Sequence, residues 1–197
     1  MPWLSSVKAV LHTWYLGNEC GNAIAKILYG IVNPSGRLPL TFPKREQDVA
    51  SYSNFKSART KVYYSESIWV GYKWHNMRQI EPLFPFGCGL SYTEFQYSGL
   101  EAQATPGCTS AERFELKIKV NVTNIGLVSG SHAVHFYLSP PSETSQSLVH
   151  PQWSMQGFTK LRDLAPSETR LAAVTLDKCT SIRYVLLLMI RCCLALG

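Results

Sequence analysis

Charged side chains are few. Asp, Glu, Lys and Arg make up 16% of the 197 residues, against 46% apolar and 12% aromatic. A disordered chain needs the opposite balance, so that class is excluded, as are collagen-like and coiled-coil compositions. Acids are scarcer than bases, 13 against 19, which leaves a formal net charge of +6. The excess is mild and spread out. Five of the cations (Lys44, Arg45, Lys56, Arg59 and Lys61) share one polar stretch with Glu46 and Asp48. A nucleic-acid groove shows a denser basic stripe with recognisable motif chemistry. This stretch reads as a solvated loop, and no nucleic-acid partner is expected.

Cysteine occurs six times (Cys20, Cys88, Cys108, Cys179, Cys192 and Cys193) but forms no CxxC pair and no regular framework. Neither a zinc site nor a disulfide scaffold is indicated. The first residues, Met1 to Ser6, lack the basic and then apolar regions of a secretory leader. The most apolar run, Tyr184 to Leu196, is interrupted by Arg191 and falls short of the roughly 20 residues of a membrane span. No membrane partner and no repeat architecture is expected. The length suits one or two domains with a real core.

Two patterns fill the chain. Val7 to Tyr15 is apolar on both faces and reads as a buried strand of a parallel sheet. Ala23, Ile24, Ile27 and Leu28 recur at helical spacing, with Gly17 or Asn18 as a starting cap and Gly30 as a terminating one. Asn33-Pro34-Ser35-Gly36 reads as a turn. Arg37 to Pro43 runs extended because residues before proline avoid the helical region. Ile68 to Trp74 reads as a second extended stretch, and Leu83 to Tyr92 as a packed loop rich in Gly, Pro and aromatics. From about Tyr92 the period becomes two. Phe114, Leu116, Ile118, Val120 and Val122 alternate with polar neighbours, the mark of a strand with one face on a core. His132 to Leu138, Trp153 to Leu161 and Thr169 to Leu176 are further strands, separated by turns. Several short strands of this kind predict a β-sandwich. The expected class is therefore α+β: a partial α/β sandwich segment over 1–90, followed by an immunoglobulin-like β-sandwich over 91–178.

The same residues carry a family resemblance. Trp14 to Ala25 and Val32 to Pro43 resemble the late part of the second domain of family 3 glycoside hydrolases. Tyr64-Ser65-Glu66-Ser67-Ile68-Trp69-Val70-Gly71-Tyr72-Lys73 resembles that family's Y-x-E-x-I-x-V-G-Y-R segment, and Glu81 to Thr93 its E-P-L-F-P-F-G-H-G-L-S-Y-T. Val122 to Gly126, Gly157-Phe158 and Leu164 to Thr169 resemble its fibronectin type III-like domain. Residues 2–178 are covered, and fungal β-glucosidases are the subgroup most resembled. The resemblance implies retaining hydrolysis of terminal non-reducing β-D-glucosyl residues during polysaccharide, including cellulose, degradation, with a β-glucoside as partner and no cofactor. Such chemistry uses two carboxylates roughly 5–5.5 Å apart. The family places its nucleophile in a (β/α)₈ barrel and its acid/base on chain preceding the matched segments, so the resemblance assigns no catalytic residue to this sequence. The expectation is a C-terminal part of such an enzyme, inactive by itself. The alternatives are a non-catalytic β-sandwich that binds carbohydrate or protein, and an inactive truncated product.

Local candidates are weak substitutes. Asp48, Asp163 and Asp177 sit in loops or at strand ends. Glu66 stands among Tyr63, Tyr64 and Trp69, rings that could stack on a sugar but read better as packing between domains. His132 and His135, three apart on a strand, point to opposite faces and share no metal. His12 and His75 read as structural, and Cys192-Cys193 as inert. Asn121-Val122-Thr123 is an N-glycosylation sequon on the polar face of its strand, so Asn121 is a possible glycan site on a secreted chain; secretion itself is undecided. Departures from the family are Cys88 for His, Lys73 for Arg, Lys26 for Asp, and the apolar residues 179–197, which resemble nothing in it. Loss of the family's last two strands leaves an open sheet edge where that tail could pair. An uncovered apolar face on 1–90 favours self-association.

Overall fold

The computed structural model describes residues 1–55, 61–104, 115–140, 150–177 and 187–190. Two helices, α1 (Cys20–Leu28) and α2 (Tyr72–Arg78), lie in the first half. Six strands follow: β1 (Phe95–Ala104), β2 (Glu115–Asn124), β3 (Gly130–Ser139), β4 (Ser154–Leu164), β5 (Thr169–Asp177) and β6 (Leu187–Ile190). They form two antiparallel three-stranded sheets, ordered β1-β2-β5 and β4-β3-β6.

The alternation in β2 does what the period predicts. Leu116, Ile118, Val120 and Val122 point inward and are buried, and Glu115 and Lys117 point out. They meet Val134, Phe136 and Leu138 of β3, Leu161 and Leu164 of β4, and Ala172 and Leu176 of β5. This core is the sandwich interior, and each of its larger side chains contributes about 1.5–3 kcal/mol by leaving water. The sandwich forecast from the sequence is present, and with it the α+β class. Phe114 lies outside the described residues.

One polar residue closes the core. Asn124, fully buried, ends β2. Its Oδ1 accepts from Thr93 Oγ1 (2.6 Å) and Gly126 N (3.1 Å), and its Nδ2 donates to the carbonyls of Val128 and Leu164 (2.9 Å each). All four bonding positions of the amide are used, which makes its burial tolerable.

Residues 1–92 pack against the outer face of the β4-β3-β6 sheet through the segments that carry the motifs. Residues 33–43 run beside 81–93: Leu38 N donates to Cys88 O (2.9 Å), Gly87 N to Leu38 O (2.8 Å), and Phe42 pairs with Phe84 as an isolated antiparallel bridge. Asn33 fastens the start of this pair. Its Oδ1 accepts from Ser91 Oγ and Tyr92 N (2.9 Å each), and its Nδ2 reaches Ser129 O (3.1 Å) at the sandwich.

Three local expectations fail. Val7 to Tyr15 forms no strand. A strand is defined by its pairing, no described strand forms a ladder with this segment, and Trp14 turns the backbone to φ 52°. Tyr72 to Trp74 is helical, because Gly71, at φ 56°, ends the preceding run and its carbonyl accepts from His75 N to start α2. Asn33 to Gly36 forms no hydrogen-bonded turn, since the Asn33 side chain is engaged elsewhere. The forecast helix is present as α1, with Gly30 at φ 72° after its end, but Glu19 rather than Gly17 or Asn18 holds the starting position. Of the apolar tail, Leu187–Ile190 forms β6 and pairs with Phe136–Ser139 of β3, which covers that part of the edge.

Candidate functional site

Tyr72, from the V-G-Y motif, is the centre of the contact between two lobes, residues 1–92 and the sandwich. Its ring stacks on Trp153 (5.1 Å between centroids, 17° between planes) and meets Tyr137 edge-on at 5.9 Å and Phe86 at 5.3 Å. Its hydroxyl accepts from Met155 N at 2.9 Å. Aromatic pairs in these geometries contribute about 0.5–1.5 kcal/mol beyond burial. The helical turn of α2 presents this ring to β3 and β4, which an extended Tyr72 would not do.

Beside this stack, Gly87 and Phe86 pack on His135 of β3. A Cβ on Gly87 would stand 2.9 Å from two atoms of the His135 ring, and Gly87 has φ 81°. Only glycine fits such an approach without strain. Three strand positions away on the other face, Arg37 Nη2 lies 3.2 Å from His132 Nδ1, and Tyr97 Oη 2.5 Å from His132 Nε2. The guanidinium can only donate, so Nδ1 accepts, Nε2 carries the proton, and the Tyr97 oxygen receives it. His132 is therefore neutral. Burial, the Arg37 charge and His135 together push its pKa down to about 4. His135 is lowered in the same direction, by burial first and then by Arg37.

Arg37, Tyr72, Phe86, His132, His135 and Trp153 line a cavity of about 430 Å³ between residues 1–92 and the sandwich, with Thr41, Asn76 and Glu81 also in its wall. A smaller cavity of about 170 Å³ lies behind it, between Glu66, Thr41, Trp74 and His75. Among the described residues each of these cavities is lined by a single carboxylate, Glu81 in the larger and Glu66 in the smaller. Glu81 pairs with Lys44, and its pKa is lowered by that contact. Glu66 holds one carboxylate oxygen buried without a hydrogen-bond partner.

The residues singled out in the sequence scatter. Asp48 pairs with Arg45 and receives the Trp74 indole N–H on its carbonyl at 3.0 Å. Asp163 accepts from Ser131 Oγ. Tyr63 and Tyr64 stand exposed, so they do not pack the lobe contact as the sequence suggests; Tyr72, Phe86, Tyr137 and Trp153 do. His75 is buried and bonds Ile80 O through Nδ1, a structural role. His12 contacts the rings of Trp14 and Phe42. His132 and His135 do point to opposite faces, one into the core and one at Phe86. Asn121 sits half-buried on the outer face of β2. Asp177's side chain and Cys108, Cys179, Cys192 and Cys193 lie outside the described residues. Among the described residues no group of three potential ligands could hold a metal, and no helix is long and apolar enough to cross a membrane. Arg37, Thr41 and Asn76 were not singled out from the sequence; nothing in spacing marks a residue that becomes polar lining only after two lobes meet.

Residues 1–92 match the model of the glycosyl hydrolase family 3 C-terminal domain. Over 180 residues the chain is 44% identical to a probable β-glucosidase I of Aspergillus flavus, covering 90% of this chain and 21% of that protein. It is 45% identical over 179 residues to one of Emericella nidulans, with the same coverage. A β-glucosidase from Kluyveromyces marxianus, solved with glucose, superposes with a TM-score of 0.77 at 36% identity, covering 89% of this chain and 20% of that one. A family 3 β-glucosidase from Bifidobacterium adolescentis gives 0.82 at 30% identity, covering 91% and 25%. The chain spans about a fifth of the length of the curated relatives it matches.

Proposed function

The chain belongs to glycosyl hydrolase family 3, and from that premise we propose that it serves a β-glucosidase as a C-terminal support that carries neither catalytic carboxylate. The reaction is retaining hydrolysis of terminal β-D-glucosyl residues, and its two acids come from the four-fifths of such an enzyme that these residues do not represent. The observation that carries the reading is the isolation of the carboxylates. Double displacement needs two of them roughly 5–5.5 Å apart across one sugar-binding space. Among the described residues each of the two cavities has one, and the one in the larger cavity is neutralised by Lys44.

The division of labour follows the packing. We assign residues 1–90 to the α/β lobe, 91–178 to the fibronectin type III-like sandwich, and 179–197 to an atypical tail. Trp14, Tyr15, Leu28, Tyr29 and Ile31 are exposed on the first lobe. In the whole enzyme this apolar surface packs on further protein; in the isolated chain it drives self-association. Asn121 is the glycan site if the protein passes through the secretory pathway. No nucleic-acid partner enters the scheme.

The test is a chromogenic aryl β-glucoside assay on the purified 197-residue chain. The proposal predicts no release above the buffer blank. Turnover that titrates with chain concentration overturns it.

A further inference from the structure

His132 is held from both lobes. Its ring stacks on Phe95 of β1 (4.5 Å between centroids), donates from Nε2 to Tyr97 Oη of the same strand, and accepts at Nδ1 from Arg37 of the 1–92 lobe. Its register partner on β4 is the apolar Leu161. Among the described residues, the titratable and charged groups that face it are Arg37, Tyr97 and, from its own strand, His135. None is a carboxylate. Glu81, the one carboxylate in the cavity wall among the described residues, pairs with Lys44. The guanidinium has donors only and keeps its charge, so it depends on the lone pair of Nδ1. A proton taken from solvent onto Nδ1 uses up that lone pair and makes the ring a cation. Two donors of like charge would then face each other at 3.2 Å with no acid between them. The bond from Nε2 to Tyr97 survives, because Nε2 carries its proton in both states. The change therefore falls on the contact with the 1–92 lobe and leaves the sandwich side of the ring intact.

We propose that Arg37 and His132 form an acid-released latch: a proton on His132 Nδ1 displaces Arg37 and frees residues 33–43 and 81–93 from β3 while the sandwich stays folded. The connection to the rest of the joint is short. Leu38, next to Arg37, exchanges main-chain bonds with the loop of Gly87 and Cys88 (Leu38 N to Cys88 O, Gly87 N to Leu38 O). That loop packs Gly87 and Phe86 on His135, and Phe86 meets Tyr72. Loss of the Arg37 contact is thus passed to the segments that hold the lobes together. The freed ring binds the proton more tightly than the latched one, so acid favours release. The latch is independent of the glycosidase reading.

Amide NMR spectra of the purified chain in dilute solution test this by acid titration, with the His132 ring followed through its Cε1 proton. The amides of Leu38, Gly87 and Met155 report the joint, since they donate to Cys88 O, Leu38 O and Tyr72 Oη. Those of Leu116 to Val122 in β2 report the sandwich. The joint amides are expected to lose their native positions together with the titration of the ring, near pH 4, while the β2 amides hold theirs. Arg37→Lys keeps the charge and keeps the release. Arg37→Gln supplies an amide that donates to the neutral ring and accepts from the charged one, so the joint amides stay in place and the ring titrates at higher pH. His135→Gln, which removes the other titrating ring of the joint, leaves the release in place. A ring that titrates with the joint amides unmoved, joint and β2 amides lost together, release in Arg37→Gln at the natural pH, or its disappearance in His135→Gln overturns the proposal.

Discussion

Replacing Gly87 with alanine should loosen the joint between the lobes, by an amount the geometry allows to be worked out. Two costs add. The backbone at φ 81° is one that L-residues avoid, at about 1–2 kcal/mol. The new methyl would also stand 2.9 Å from Cε1 and Nδ1 of His135. That ring cannot swing aside freely, with Phe86 at 5.7 Å and Tyr137 at 6.2 Å between centroids. Forcing a methyl into such a site costs about 1–3 kcal/mol. The total is about 2–5 kcal/mol, or a fall of roughly 4–20 °C in melting temperature for a chain of this size. Urea titration of the variant and of the double variant Gly87→Ala/His135→Ala separates the two parts. Removing the ring should return the steric part relative to His135→Ala alone and leave the backbone part. A loss below 0.5 kcal/mol, or a double variant with no recovery, would refute the claim that this loop sits hard against β3.

Acid should weaken the fold through His132. Its folded-state pKa is about 4 against an ordinary 6.5, so the unfolded chain binds the extra proton over that interval. The contribution is complete above pH 6.5 and lost as pH falls towards 4, about 3 kcal/mol in all, with His135 acting in the same direction. Urea midpoints between pH 7 and 4 should fall less steeply for His132→Gln than for the natural chain; equal slopes contradict the assignment. Asn124→Ala should cost about 2–4 kcal/mol, because it strands Thr93 and two carbonyls in the core; a chemical-denaturation loss under 1 kcal/mol would show that the turn is held by something else. Deleting residues 179–197 removes β6 and bares the edge of β3. Amides between Phe136 and Ser139 should then exchange faster and the chain should aggregate at lower concentration; unchanged exchange there would mean that β6 contributes nothing to the sheet.

The sandwich was legible because its information is local. In β2 the alternation of Leu116, Ile118, Val120 and Val122 encodes which face is wet, and the structure reads it the same way. The strand β1 escaped notice because Gly99, at φ 60°, shifts its register partway and most of its side chains stay exposed, so no alternation survives. Val7 to Tyr15 has the composition of a buried strand, yet composition cannot supply the neighbour that pairing requires. Tyr72 to Trp74 carry β-favouring rings, and the turn at Gly71 overrides that preference. The joint between the lobes was least legible. Arg37 lies 95 positions from His132, and nothing in either segment alone says that they meet. The motifs identified the segments, and packing then gave their roles: Asn33 holds Ser91 and Tyr92, and Tyr72 holds Trp153.

The central claim is that these residues support a sugar-cleaving centre without containing one. A 2-fluoro-2-deoxyglucoside with a good leaving group leaves its sugar bonded to a nucleophilic carboxylate of a retaining glycosidase, and intact mass spectrometry reads the gain. Incubated with such a reagent, the 197-residue chain should keep its mass. A stoichiometric gain of one fluoroglucosyl group, mapped to Glu66, Glu81 or any other of its acids, would contradict the account.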